Sequence, residues 1–151
     1  SIQYPDAKGW HHRAMPAPLA CPCDLQRPYD ACCGRWHAGP LHLQAPDAAA
    51  LMRSRYAAYA LGRHAYVLDT WHASTRPAAL EPDPPGVQWL GLELRRHVVH
   101  DAEHASVEFV ARNRFGGRAQ RLHELSRFVR EAGRWFYLDG TFPEKSSKRT
   151  A

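Results

Sequence analysis

A chain of 151 residues, 44% of them hydrophobic and 11% aromatic, has the size and apolar content of one folded domain with a core, which argues against a disordered chain. There is no run of about 18 apolar residues and no charged start with an apolar stretch and cleavage site, so neither a membrane span nor a secretion signal is expected and the address reads as cytoplasmic. The net charge of +5 is uneven: from Arg112 onward ten basic side chains stand against four acidic ones, which suits an anionic partner such as RNA or an acidic protein, or a solvated face of arginines.

Residues 1–16 mix Pro, Gly, His and Ala without period and read as a flexible tail, with Met15 as a natural start and 1–14 as an extension. Residues 17–40 form a knuckle that holds all four cysteines, from Cys21 to Cys33. Thiols that staple a secreted scaffold are spread along a chain; clustered ones point to metal binding or redox chemistry. Cys21-Pro-Cys23 places two thiolates on a tight turn, and Cys32-Cys33 can face it from the opening of a short helix at "YDACC". Four sulfurs meeting with no vacancy is the closed geometry of structural zinc. A redox pair is the competing reading, although neither pair has the two-residue spacer of a thioredoxin-type site. His37 could replace one cysteine as a ligand, or lie in solvent. The 16 residues from 21 to 36 cannot bury enough surface alone, so zinc would be a folding requirement.

After the turn-rich "AGPLHLQAP", Asp47 reads as a helix N-cap, Leu51, Met52, Tyr56, Tyr59 and Ala60 as a buried stripe, and Gly62 as the stop. "HAYVLDTWH" is a second short helix, with Tyr66, Val67 and Trp71 near one side. Three prolines between Glu81 and Gly86 exclude helix and central strand there. The period then becomes two, and residues 87–100, 104–115, 118–131 and 134–139 read as four strands joined by hairpins. Helices followed by a meander make an α+β fold: helices packed on one face of a curved antiparallel sheet over 41–142, with 143–151 a flexible basic tail.

"CPC", eight residues and "CCG" resemble the SEC-C motif, the small zinc knuckle found at the end of the SecA translocation ATPase. The stretches "LMRSRYAAYALG", "TWH", "WLGL", "FVAR", "HELSRF" and "WFYLDG" are similar to the YchJ-type bacterial family. The resemblance implies an N-terminal SEC-C knuckle followed by a domain similar to nuclear transport factor 2, in which helices and a curved sheet form a cone with a pocket. One departure is that the usual Gly-Ser-Gly after the first cysteine pair is Asp24-Leu25-Gln26, expected to stiffen the turn and leave the ligands intact.

The candidate metal ligands are Cys21, Cys23, Cys32 and Cys33, with Zn2+ as the cofactor. The candidate pocket residues are Arg53, Tyr56, Trp71, His72, Trp89, Glu124, Ser126, Phe128, Tyr137 and Asp139. Strict alternation puts Leu122, Glu124, Ser126 and Phe128 on one face, and Trp135, Tyr137 and Asp139 on one face of the next strand. Glu124 among aromatics would suit general-base work. Alternatively an arginine of the "LMRSRY" helix neutralises it, and Arg53, on the edge of the apolar stripe, is expected in preference to Arg55. Trp71 and Trp89 read as core or pocket lining, and His72 as a helix cap or a weak catalytic candidate. No glycine-rich phosphate loop or serine elbow is present, which disfavours nucleotide hydrolysis and serine esterase chemistry.

The functional expectation is a zinc-binding adaptor whose knuckle docks on a protein or ribosomal partner while the cone holds a small ligand or peptide. Nucleic acid could bind through the basic C-terminal half. The alternative is a cofactor-independent lyase, isomerase or hydrolase with Glu124 as base. Knuckle and strand domain are expected to have separate hydrophobic supports.

Overall fold

The computed structural model describes residues 19–143. The expected N-terminal tail, the start at Met15 and all but the first residue of the expected C-terminal tail lie outside the described residues.

A 3-10 turn, Tyr29–Ala31, is followed by α1 (Gly34–His37), α2 (Ala48–Leu61) and α3 (His64–Asp69). Four strands follow: β1 (Gln88–Asp101), β2 (His104–Phe115), β3 (Arg118–Glu131) and β4 (Arg134–Thr141). They form one antiparallel sheet in the order β1-β2-β3-β4, the simplest outcome for strands joined by short turns. Both later hairpins turn on two left-handed residues, Gly116-Gly117 and Ala132-Gly133, as the right-handed twist of the flanking strands requires. Register shifts between Trp89 and Gly91, Leu94 and Arg96, and Val99 and Asp101 bend β1. A further shift where Arg127 and Phe128 meet Asp139 and Tyr137 bends β4.

α2 begins where Asp47 accepts the Ala50 amide at 2.8 Å and ends at Gly62, whose φ of 73° lets its N–H return to the last turn. It is buried on more than one side, because the sheet lies against one flank and the knuckle and α3 against another. α3 is followed by Thr70–His72, which bonds to β4: the Tyr137 amide donates to Thr70 O and the His72 amide to Tyr137 O, both at 2.8 Å. That clamp ties the helical layer to the sheet edge.

The concave face of β2, Ala105, Val107, Phe109 and Ala111, is buried under α2. Phe128 of β3 closes the narrow end beside Tyr137. The same contiguous core includes all four cysteines and Trp36, so the expectation of separate supports for knuckle and sheet is corrected: they share one core. Among the described residues no helix is long and apolar enough to cross a membrane.

Candidate metal centre and cone cavity

The knuckle is a small hairpin. Tyr29 N–H donates to Leu19 O at 2.7 Å and Cys21 N–H to Arg27 O at 2.9 Å, which brings Cys21 and Cys23 onto its turn. Asp24 and Gln26 take φ of 71° and 57° in that turn, a region glycine enters without penalty. Cys32 and Cys33 sit at the junction of the 3-10 turn and α1, so consecutive residues present both sulfurs to the hairpin.

All four sulfurs lie within 4.8 Å of one another and all are buried. The Cys23–Cys32 sulfur separation is 3.5 Å, far beyond a disulfide bond, and all four thiols are free. A tetrahedron with metal–sulfur bonds of about 2.3 Å has sulfur–sulfur edges of about 3.8 Å, so the cluster has the dimensions of one tetrahedral ion. Hydrogen bonds among the sulfurs pull the Cys21 thiol well below the usual range and push Cys23 and Cys33 up. Four thiolates in contact repel one another, and a soft cation at the centre would relieve that repulsion. The donor set therefore fits a metal ion.

His37 is neither a ligand nor solvated. It is buried, with Nε2 donating to Ser54 O at 2.7 Å and Nδ1 accepting from Tyr29 Oη at 2.5 Å. A carbonyl can only accept, so Nε2 carries a proton, and burial draws the pKa down and favours the neutral ring in which Nδ1 accepts. Two further bonds dock the knuckle. Arg53 Nη1 donates to Cys23 O at 2.7 Å, and Asp24 Oδ2 accepts the Leu92 amide of β1 at 3.1 Å. Arg53 is thus a strut to the knuckle and does not line the cone.

Between α2 and the concave sheet lies a cavity of about 370 Å³. Of the expected residues, Tyr56, Trp71, Trp89, Glu124, Ser126 and Tyr137 line it. The other four do not. Arg53 faces the knuckle, and Phe128 is packed in the core below. His72 lies in a separate open depression, bonded to Glu131 at 2.8 Å and Ser74 at 2.7 Å. Asp139 faces outward to Arg127, because the extra residue at Leu138 reverses the alternation after Tyr137. Arg55, Tyr59, Phe109, Leu122 and Asp83, which accepts from the Trp89 indole, also line the cavity and are not among the expected pocket residues. Arg55 was legible: it lies four residues after Leu51 and four before Tyr59, on the buried stripe itself.

Glu124 projects from the centre of β3. Its Oε2 accepts from Ser126 Oγ at 2.8 Å and Tyr137 Oη at 2.9 Å. Burial, with the Glu124 charge adjacent, raises the Tyr137 phenol far above its usual range, so it remains a donor. The carboxylate lies against Gly140, where an added Cβ would collide with it. Glu124 makes no ion pair among the described residues, which corrects the expected pairing with Arg53. Arg55 donates through Nη1 to Val67 O and Thr70 Oγ1, both at 2.8 Å. Its guanidinium lies over the rings of Tyr137, at 4.5 Å, and Trp71, at 5.1 Å.

On the outer face, several basic groups are engaged. Arg127 is paired with Asp139 and Arg112 with Glu93, while Arg134 turns to the helical layer and donates to Asp69 O.

A family model described as the YchJ middle domain, similar to nuclear transport factor 2, matches residues 47–140. A UPF0225 protein of Bordetella parapertussis is 60% identical over 82% of this chain and 93% of its own length. Another, from Methylibium petroleiphilum, is 61% identical over 90% of this chain and 93% of its own. The solution structure of a SEC-C motif protein from Rhodopseudomonas palustris superposes with a TM-score of 0.69 at 34% identity, covering 82% of this chain and 98% of that one. A crystal structure of a SEC-C motif protein from Psychrobacter arcticus gives 0.67 at 29% identity, with 82% of each chain covered.

Proposed function

The chain belongs to the YchJ family, and on that premise we propose that it is a zinc-stabilised binding protein whose cone holds a small ligand. The observation that carries this reading is a buried carboxylate, Glu124, with Oε1 unbonded among the described residues, on the wall of an aromatic cavity of about 370 Å³. That volume is at the lower end of the range of small-molecule sites, roughly 300–1,000 Å³. Zinc is the ion favoured by four buried sulfurs with no open position, and free thiols fit a reducing cytoplasm.

The knuckle also leaves Leu19 and Leu25 exposed, which supports the reading that it docks on a protein or ribosomal partner. Pairing of Arg112 and Arg127 with acids makes nucleic acid the weaker choice of partner.

The full chain purified without chelator should carry about one equivalent of zinc. In a thermal-shift screen, small molecules that raise the melting temperature should do so in the wild type and fail in Ala111→Phe, which fills the cavity. A folded Ala111→Phe protein that responds to the same compounds as the wild type would refute binding in the cone.

A second reading is an enzyme, a lyase, isomerase or hydrolase with Glu124 as base. It is favoured by the way Ser126 and Tyr137 fix one carboxylate oxygen and leave the other unbonded. Hydrogen–deuterium exchange into a bound compound, lost in Glu124→Gln, would establish a lyase or isomerase, and hydrolysis of a bound compound lost in the same variant would establish a hydrolase; neither reaction would leave a binding protein.

A further inference from the structure

Arg55 is 3% exposed, yet among the described residues it meets no carboxylate. Only Nη1 has acceptors, one backbone carbonyl and one hydroxyl. The Nε–Nη2 edge, the side of a guanidinium that receives a carboxylate in a two-point fork, has none. Neither nitrogen is among the walled-off polar atoms without a partner, so this edge adjoins the cavity that Arg55 lines. Burial draws the Arg55 pKa down, as expected for a cation without a counter-charge in contact. The indole Nε1 of Trp71, beside it, also has no partner.

Such a cation is costly to bury, and its two bonds through Nη1 use only one side of the guanidinium and supply no counter-charge. Resting on the ligand-binding reading above, we infer that Arg55 is an anion hook and that the cone takes a small aromatic carboxylate. The ligand's carboxylate forks onto Nε and Nη2, its ring lies among Tyr56, Tyr59, Trp89 and Phe109, and a hydroxyl or amine at its far end donates to Glu124 Oε1. Planarity selects a carboxylate over phosphate: one guanidinium edge matches two coplanar oxygens, and among the described residues no second cation lines the cavity to neutralise a dianion.

The test uses the full chain with its metal, 15N-labelled, and follows the indole N–H resonances of Trp71 and Trp89. The probes are 4-hydroxybenzoate, its neutral counterpart 4-hydroxybenzyl alcohol, and inorganic phosphate. The benzoate should bind roughly thirtyfold or more tightly than the alcohol, and Arg55→Met should abolish that preference. Arg55→Met relieves a buried charge but also loses the bonds to Val67 O and Thr70 Oγ1, so the dispersion of its amide spectrum is checked for the wild-type fold before binding is compared. If Arg55→Met does not fold, Arg55→Lys decides: weaker binding that still favours the benzoate supports the hook. Equal binding of benzoate and alcohol overturns the anion hook and leaves the ligand-binding reading standing. Competition by phosphate as strong as by the benzoate overturns the carboxylate class. Silence toward all three probes overturns the inference, while the ligand-binding reading is decided separately by the Ala111→Phe comparison.

Discussion

A β-carbon on Gly140 would lie 2.7 Å from Glu124 Cδ, so this position is glycine because β3 sends a carboxylate across it. Gly140→Ala is expected to destabilise the fold by about 2–3 kcal/mol in denaturant titrations. In Glu124→Ala the same change should cost much less, and a double-mutant cycle reads the coupling; additive effects would mean the carboxylate does not lie there. Glu124→Gln strands no arginine and keeps a side-chain oxygen for Ser126 and Tyr137, so it should be tolerated far better than loss of one partner of a buried ion pair. The turn after Cys23 shows the other side of glycine use. The Gly-Ser-Gly that the SEC-C resemblance implies falls on Asp24-Leu25-Gln26, and its two glycine positions are the two left-handed residues of the turn. Asp24 is anchored by its bond to the Leu92 amide, whereas the Gln26 side chain makes no hydrogen bond among the described residues. Gln26→Gly should therefore raise stability by about 0.5–1 kcal/mol, and a loss on unfolding measurements would show that Gln26 has a role of its own.

At the scale of elements, the strands were legible because their separators are short and their alternation is regular. The helix α2 was legible from its cap, its stripe and its glycine stop. Two failures have physical causes. Asp139 was assigned by strict alternation, and a bulge carries no signature in side-chain type, so the reversal at Leu138 could not be read. The edge of an apolar stripe is the ordinary place for a charge, which points to Arg53, but α2 is buried on several sides and takes Arg55 in the middle of the stripe. The β3–β4 turn offers a test of the sheet. Ala132 adopts a φ of 51° where a two-residue turn of this kind favours asparagine. Ala132→Asn should stabilise the protein by about 0.5–1 kcal/mol. A stability loss would mean that the hairpin does not turn on these two residues.

For the whole molecule, the four-cysteine cluster that could hold a metal ion is the most legible feature, since clustered cysteines fix the donors whatever the surrounding fold. Its relation to the cone was not legible. The bonds that join them, Arg53 to Cys23 O, His37 to Ser54 O and Asp24 to the Leu92 amide, link residues far apart in sequence and show no period. Through them the knuckle braces α2 and β1, which form two walls of the cavity. Loss of the ion should then loosen the cone as well as the knuckle, and Cys32→Ser should lower the stability of the whole chain. Hydrogen exchange on the full chain, with its metal and after removal by a chelator, measures this directly. Metal removal should cost amide protection in α2 and around Leu92 and Phe109 together with the knuckle; full protection retained there while the knuckle alone exchanges would contradict a shared core.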